Sequence, residues 1–139
     1  MAKQVREIMT GTPASVGPQT SVTEVARRMR DEDIGAVLVV EDEKLRGLVT
    51  DRDLVVRVLA EGRNVDEATV SQACSADLVA VSPDDDIDRA VQLMREQAVR
   101  RLPVVENERP VGIVSLGDLA IERDPSSALG DISSAEPNQ

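Results

Sequence analysis

The chain has 139 residues, 16 Lys/Arg against 26 Asp/Glu (net charge −10), no Phe, Tyr, Trp or His, and one cysteine, Cys74. That inventory excludes His-based triads, imidazole proton shuttles and His zinc sites, CxxC redox pairs and internal disulfides, and base stacking on aromatic side chains. The acidic surplus repels a phosphate backbone, so nucleic acid is not an expected partner.

The apolar residues, 41% of the chain, suffice for the core of one compact domain or a tight pair of small ones. Residues 1–7 lack the apolar run of a signal peptide. The longest apolar stretch, Ala36–Val40, is far shorter than the ~20 residues that span a bilayer. A cytoplasmic location without a membrane partner is the expectation. The preference for Arg over Lys suggests a GC-rich bacterial genome.

The chain repeats itself. A shift of 65 residues lays 5–54 on 70–119 without a gap and gives thirteen identities, among them Pro18/Pro83, Met29/Met94, Gly47/Gly112 and Asp53/Asp118. Each copy opens with a short apolar run (Ala14–Val16; Leu78–Val81) and a proline turn. A helix follows. Ser21 and Glu24 have capping-box spacing, and Asp86 is the N-cap expected in the second copy. Val22, Val25, Ala26 and Met29 mark its apolar stripe, matched by Ile87, Ala90, Val91 and Met94.

Two buried strands come next, Val37–Val40 with Leu48–Val49 and Leu102–Val105 with Ile113–Val114, joined by charged hairpin turns at 41–44 and 106–109. A second helix is predicted from Asp51 through Leu59, with Gly62 as its C-cap, and its twin from Leu116 to about Glu122. The copies occupy 5–64 and 70–123, with a linker at 65–69. Residues 124–139 form an acidic tail expected to be disordered. The fold class is α/β (α+β): two tandem β-α-β-β-α repeats packed sheet to sheet with pseudo-two-fold symmetry.

Chemistry concentrates in Gly47-Leu48-Val49-Thr50-Asp51-Arg52-Asp53 and Gly112-Ile113-Val114-Ser115-Leu116-Gly117-Asp118. Each leaves a strand, sets a hydroxyl at a helix start and an acid three residues later. Two readings fit. The residues cap their helices, or the helix start holds an anion while the acid accepts from a ribose diol. Asp84, Asp85, Asp86 and Asp88 suit either a helix N-terminus or a divalent cation, and the first is favoured. Cys74 aligns with Met9 and reads as a small buried hydrophobe. No acid/base or nucleophile constellation is present, so an enzyme is not expected.

Ile8-Met9-Thr10, the 99–105 segment and the two Gly-h-h-Thr/Ser-x-x-Asp segments together resemble cystathionine β-synthase (CBS) domains, arranged as a tandem pair or Bateman module over about residues 5–123. The resemblance implies a non-catalytic regulatory module that senses energy or metabolite state. It would bind an adenine nucleotide or adenosyl ligand (AMP, ADP, ATP or S-adenosylmethionine) in the cleft between repeats and signal by conformational change. No cofactor is required. Asp53 and Asp118 would hold ribose hydroxyls, with Thr50 and Ser115 beside ribose or phosphate.

Arg100 and Arg101 would face the phosphates, or form surface ion pairs. Their first-copy counterparts are Gly35 and Ala36, so the second-copy site is the one expected to fill. Adenine would rest among Ile34, Val37, Val99 and Leu102. No metal site is implied. A homodimer is, with helix faces bearing Val55, Val58 and Leu59 as contacts, and a target protein left unidentified. The alternative is a ligand-free interaction module acting through dimerisation with itself or a partner.

Overall fold

The computed structural model describes residues 3–11, 13–74, 78–123 and 132. A 3₁₀ turn (Val5–Glu7) precedes β1 (Thr10–Gly11), β2 (Ser15–Val16), α1 (Val22–Glu32), β3 (Ala36–Glu41), β4 (Lys44–Thr50) and α2 (Asp51–Leu54). A π-turn (Val55–Leu59) follows, then α3 (Val70–Ala73), α4 (Ile87–Gln97), β5 (Arg101–Glu106), β6 (Arg109–Ser115) and α5 (Leu116–Arg123). These elements fall into two compact units, one built on Ala14–Leu78 and the other on residues 79–139 together with 1–13.

In the first unit β2 pairs parallel to β3, and β3 antiparallel to β4. In the second β1 and β5 flank β6, both antiparallel. The hairpins form where the charged turns require them. Asp42 and Glu43 have φ 53° and 66°, Asn107 and Glu108 have φ 55° and 67°, the left-handed pair that matches the twist of a two-residue β-turn. The helical stripe also holds, with Val22, Val25 and Met29 buried in one core and Ile87, Ala90, Leu93 and Met94 in the other. Ala26 is exposed, so the stripe is narrower than its periodicity suggests. Val37, Val39 and Val49 complete the first core, Leu102, Val104 and Val114 the second.

The segment that leads into each repeat belongs to the unit of the other. Val5 is fully buried in the second core, and its N–H donates to Asp85 O at 2.8 Å. Val70, its counterpart 65 residues on, is fully buried in the first core and donates to Thr20 O at 2.8 Å. The flanking bridges repeat the pattern, Gln4 with Asp86 and Thr69 with Ser21. Residues 65–69, expected as a linker, therefore include a buried Ala68 whose carbonyl accepts the first amide of α1.

Other expectations shift. Val81 makes only an isolated parallel bridge to Val104 where a strand over 78–81 was expected. Asp86 stands at the α4 N-cap without a side-chain capping bond, and Ser21 Oγ accepts from Glu24 N–H at 3.2 Å. The helix from Asp51 widens at Val55, where Ala60 N–H reaches back five residues to Val55 O at 2.8 Å. Three β-branched residues crowd that turn, which weakens ordinary helix packing there. Gly62 then takes φ 71°. Of the expected tail, only Ile132 lies within the described residues.

Candidate functional site

The two repeated motifs build the same local geometry. Strand β4 ends at Thr50, whose N–H donates to Asp53 Oδ2 at 2.8 Å while Asp53 N–H donates to Thr50 Oγ1 at 3.2 Å. Strand β6 ends at Ser115, whose N–H donates to Asp118 Oδ2 at 2.8 Å while Asp118 N–H donates to Ser115 Oγ at 3.1 Å. Both are reciprocal capping boxes. Capping engages one oxygen of each carboxylate and leaves Oδ1 for another partner, so the capping and ligand readings are compatible.

Hairpin register sets the neighbours. Ala36 pairs with Thr50 and Arg101 with Ser115. One residue earlier, Gly35 O accepts from Asp51 N–H at 3.1 Å and Arg100 O from Leu116 N–H at 2.8 Å. The second unit thus sets two guanidinium-bearing residues beside its helix start where the first has Gly and Ala. Arg101 is half-buried and Arg100 exposed. Arg6, Arg28, Arg30, Arg46 and Arg57 each pair with a carboxylate, whereas Arg100 and Arg101 have no carboxylate partner among the described residues. The ion-pair reading of these two is not realised there.

The carboxylates differ as well. Asp53 Oδ1 has Arg57 Nε at 3.6 Å, and position 57 corresponds to Glu122 in the second copy. Glu122 instead binds Lys3 Nζ at 2.8 Å and holds that ammonium pKa above its ordinary value. Arg57 was missed in the sequence, although its i,i+4 spacing from Asp53 is a signal for a helical ion pair.

The proposed adenine wall divides. Ile34 and Val99 are half-buried, each one residue beyond a left-handed residue (Asp33, Ala98; φ 53° both). Val37 and Leu102 are fully buried members of their cores and present no surface to a ligand. Strands covered on both sides bury alternate and intervening residues alike, which is why sequence pattern did not separate them. Val58, a candidate dimer contact, is also fully buried, while Val55, Val56 and Leu59 are exposed.

The acidic run is spent locally. Asp84 pairs with Arg6, and Asp85 Oδ2 accepts from Ser82 N–H at 2.9 Å. Cys74 is partly buried against the first core, its thiol pushed above its ordinary pKa by that burial. Among the described residues no three His, Cys, Asp or Glu gather as a metal site.

A model described as the CBS domain matches residues 5–60 and 70–123, nearly all of both repeats. The chain belongs to the CBS domain family. Among curated relatives, the CBS domain-containing protein YhcV of Bacillus subtilis is 39% identical over 126 residues, covering 91% of this chain and 89% of its own. Hypoxic response protein 1 of Mycobacterium tuberculosis is 36% identical over 116 residues, 83% of this chain and 81% of its own. A crystal structure of Hypoxic Response Protein I with two coordinated zinc ions superposes with TM-score 0.78 at 35% identity, over 86% of this chain and 98% of that one. The CBS domain structure NE2398 gives TM-score 0.80 at 29% identity, over 88% and 98%. A tandem CBS pair is a regulatory module.

Proposed function

We propose that this CBS pair is a non-catalytic sensor that binds an adenine nucleotide or adenosyl ligand at the second repeat and passes that occupancy to a partner protein in the cytoplasm. The observation that carries the reading is the pair of arginines, Arg100 and Arg101, which among the described residues have no carboxylate partner in a chain of net charge −10. They stand opposite the Ser115 cap, where α5 presents its positive dipole end. A nucleoside phosphate meets both arginines, and its ribose diol meets Asp118 Oδ1, which no arginine among the described residues occupies. Val99 offers aliphatic cover to a base. The first repeat, with Gly35, Ala36 and an Asp53 engaged by Arg57, is the weaker site. Zinc is not carried over from the relative: the chain has no His, one Cys, and no gathered ligand set among the described residues.

Calorimetric titration with AMP, ADP, ATP and S-adenosylmethionine tests the proposal. At least one should bind, and Asp118→Ala should weaken it about 10- to 100-fold, the cost of a charged hydrogen bond. Asp118→Asn keeps a capping oxygen and separates lost binding from a frayed helix. Because the chain has no Trp, Tyr or disulfide, a 260 nm band in nucleic-acid-free protein reports co-purified nucleotide directly. No heat and no thermal shift with any of the four would sink the reading.

The alternative, an interaction module working through dimerisation, is favoured by the exposed apolar side chains of the π-turn, Val55 (54%) and Leu59 (65%). Light scattering near twice 15.0 kDa that falls to the monomer with Leu59→Glu would support a homodimer through that face.

A further inference from the structure

The lead segments of the two units are seated by different forces. In the first unit Ala68, Val70 and Ala73 are all buried in the core, and the residues alongside, Gln19, Thr20 and Ser21, are uncharged. In the second unit the counterparts are Lys3, Val5 and Ile8, of which only Val5 is fully buried. The backbone bonds are the same in both. Val5 N–H donates to Asp85 O at 2.8 Å, Arg6 N–H to Pro83 O at 3.1 Å and Ile87 N–H to Lys3 O at 3.0 Å, matching Val70 to Thr20, Ser71 to Pro18 and Val22 to Ala68. Charge stands where the apolar anchors are missing. Arg6 pairs with Asp84, and Lys3 Nζ lies 2.8 Å from Glu122 Oε1. The corresponding first-copy residues are Ser71 with Gln19 and Ala68 with Arg57, so neither pair has a twin. The run Asp84-Asp85-Asp86 is thus the cradle of a basic segment, where the first unit has Gln-Thr-Ser.

We propose that residues 3–11 are a releasable strap, latched by charge, whose seating sets the order of the Ser115–Asp118 box. The strap grips both arms of that box. Thr10 and Gly11 pair with Ile113 and Gly112 on the strand that ends at Ser115. Lys3 holds Glu122, one helical turn beyond Asp118 on α5. Release withdraws Val5 from the second core, uncovers the edge of β6 and frees the end of α5. Because β1 spans two residues and Val5 is the strap's one fully buried side chain, the strap opens with far less apolar exposure than the whole unit. Both ion pairs face solvent, so each shifts the seated equilibrium only about 2- to 5-fold. A hold of that size biases the strap toward the seated state and yields to ionic strength. Seating and box order are linked, so whatever orders the box also holds the strap.

Hydrogen exchange of the full chain, followed amide by amide by NMR, is the test, with Val70 and Ser71 as the internal control. Raising NaCl from about 0.05 to 0.5 M should accelerate exchange at Val5 and Arg6 about 3- to 10-fold and leave Val70 and Ser71 within about 2-fold. The Ser115 and Asp118 amides should follow Val5, while those of Thr50 and Asp53 do not. At low salt Arg6→Glu should reproduce the acceleration, and adding Asp84→Arg should reverse most of it. An equal salt response in both lead segments, or exchange at Val5 and Arg6 no faster than in β5, would overturn the strap as a separately opening element. Ser115 and Asp118 amides that ignore the strap would overturn its hold on the box. A charge swap that restores no protection would overturn the latch.

Discussion

Gly112 opens the second motif and leaves no room for a side chain. A Cβ there would lie 2.6 Å from Met9 Sδ, 3.0 Å from Met9 Cγ and 2.9 Å from the Thr10 carbonyl oxygen. The Met9 side chain is flexible and yields at little cost. The Thr10 carbonyl is backbone in β1, held by the pairing of Gly11 with Gly112, and moves only if that strand lifts. Gly112→Ala should therefore cost about 2 kcal/mol, roughly half from overpacking and half from a lost ladder bond. The melting temperature should fall by about 6–8 °C. Hydrogen exchange should accelerate at residues 10–11 and 112–113 before it does in β3 and β4. Adding Met9→Ala should restore less than half the loss. A Gly112→Ala protein within about 0.5 kcal/mol of the parent, or one rescued fully by Met9→Ala, would refute the assignment of the clash to the backbone.

Two further outcomes concern the hairpin turns and Cys74. Glu43→Gly and Glu108→Gly relieve left-handed residues at φ 66° and 67° and should each stabilise by about 0.5–1 kcal/mol in urea unfolding. A loss of stability would show that their side-chain contacts outweigh the backbone strain. Burial raises the Cys74 thiol pKa, and the nearby Asp53 carboxylate adds to it. Alkylation by iodoacetamide should then climb only above the pH at which an exposed cysteine already reacts, and an ordinary pH profile would contradict that environment.

Much of this was legible because it is local. The helical stripe, the charged hairpin turns and the Ser/Thr-x-x-Asp boxes are each written within about seven residues, and the duplication states each of them twice. Other features depend on partners far away in sequence. Shifting Val5 or Val70 from one unit to the other leaves the 65-residue period unchanged, so no periodicity could show which core receives them. The Asp53–Arg57 pair lies within one turn and was readable, but the capping reading had already accounted for the acid. Val37 and Leu102 were misplaced as ligand-facing because a strand buried on both sides gives no alternation to read. Arg100 and Arg101 were legible as cations. That they lack carboxylate partners among the described residues depends on the fold.

The crossing of the two lead segments bears on how such a chain can arise. A single repeat of this design has a vacancy in its core where Val5 or Val70 belongs, and its own lead segment is aimed elsewhere. It closes only by lending that segment to a twin and accepting one in return, which is a domain-swapped dimer. Duplication and fusion would turn that loan between two molecules into one within a single molecule. The gene then cannot be cut at the repeat boundary without opening both cores, and pieces exchanged in evolution or in the laboratory should travel as pairs.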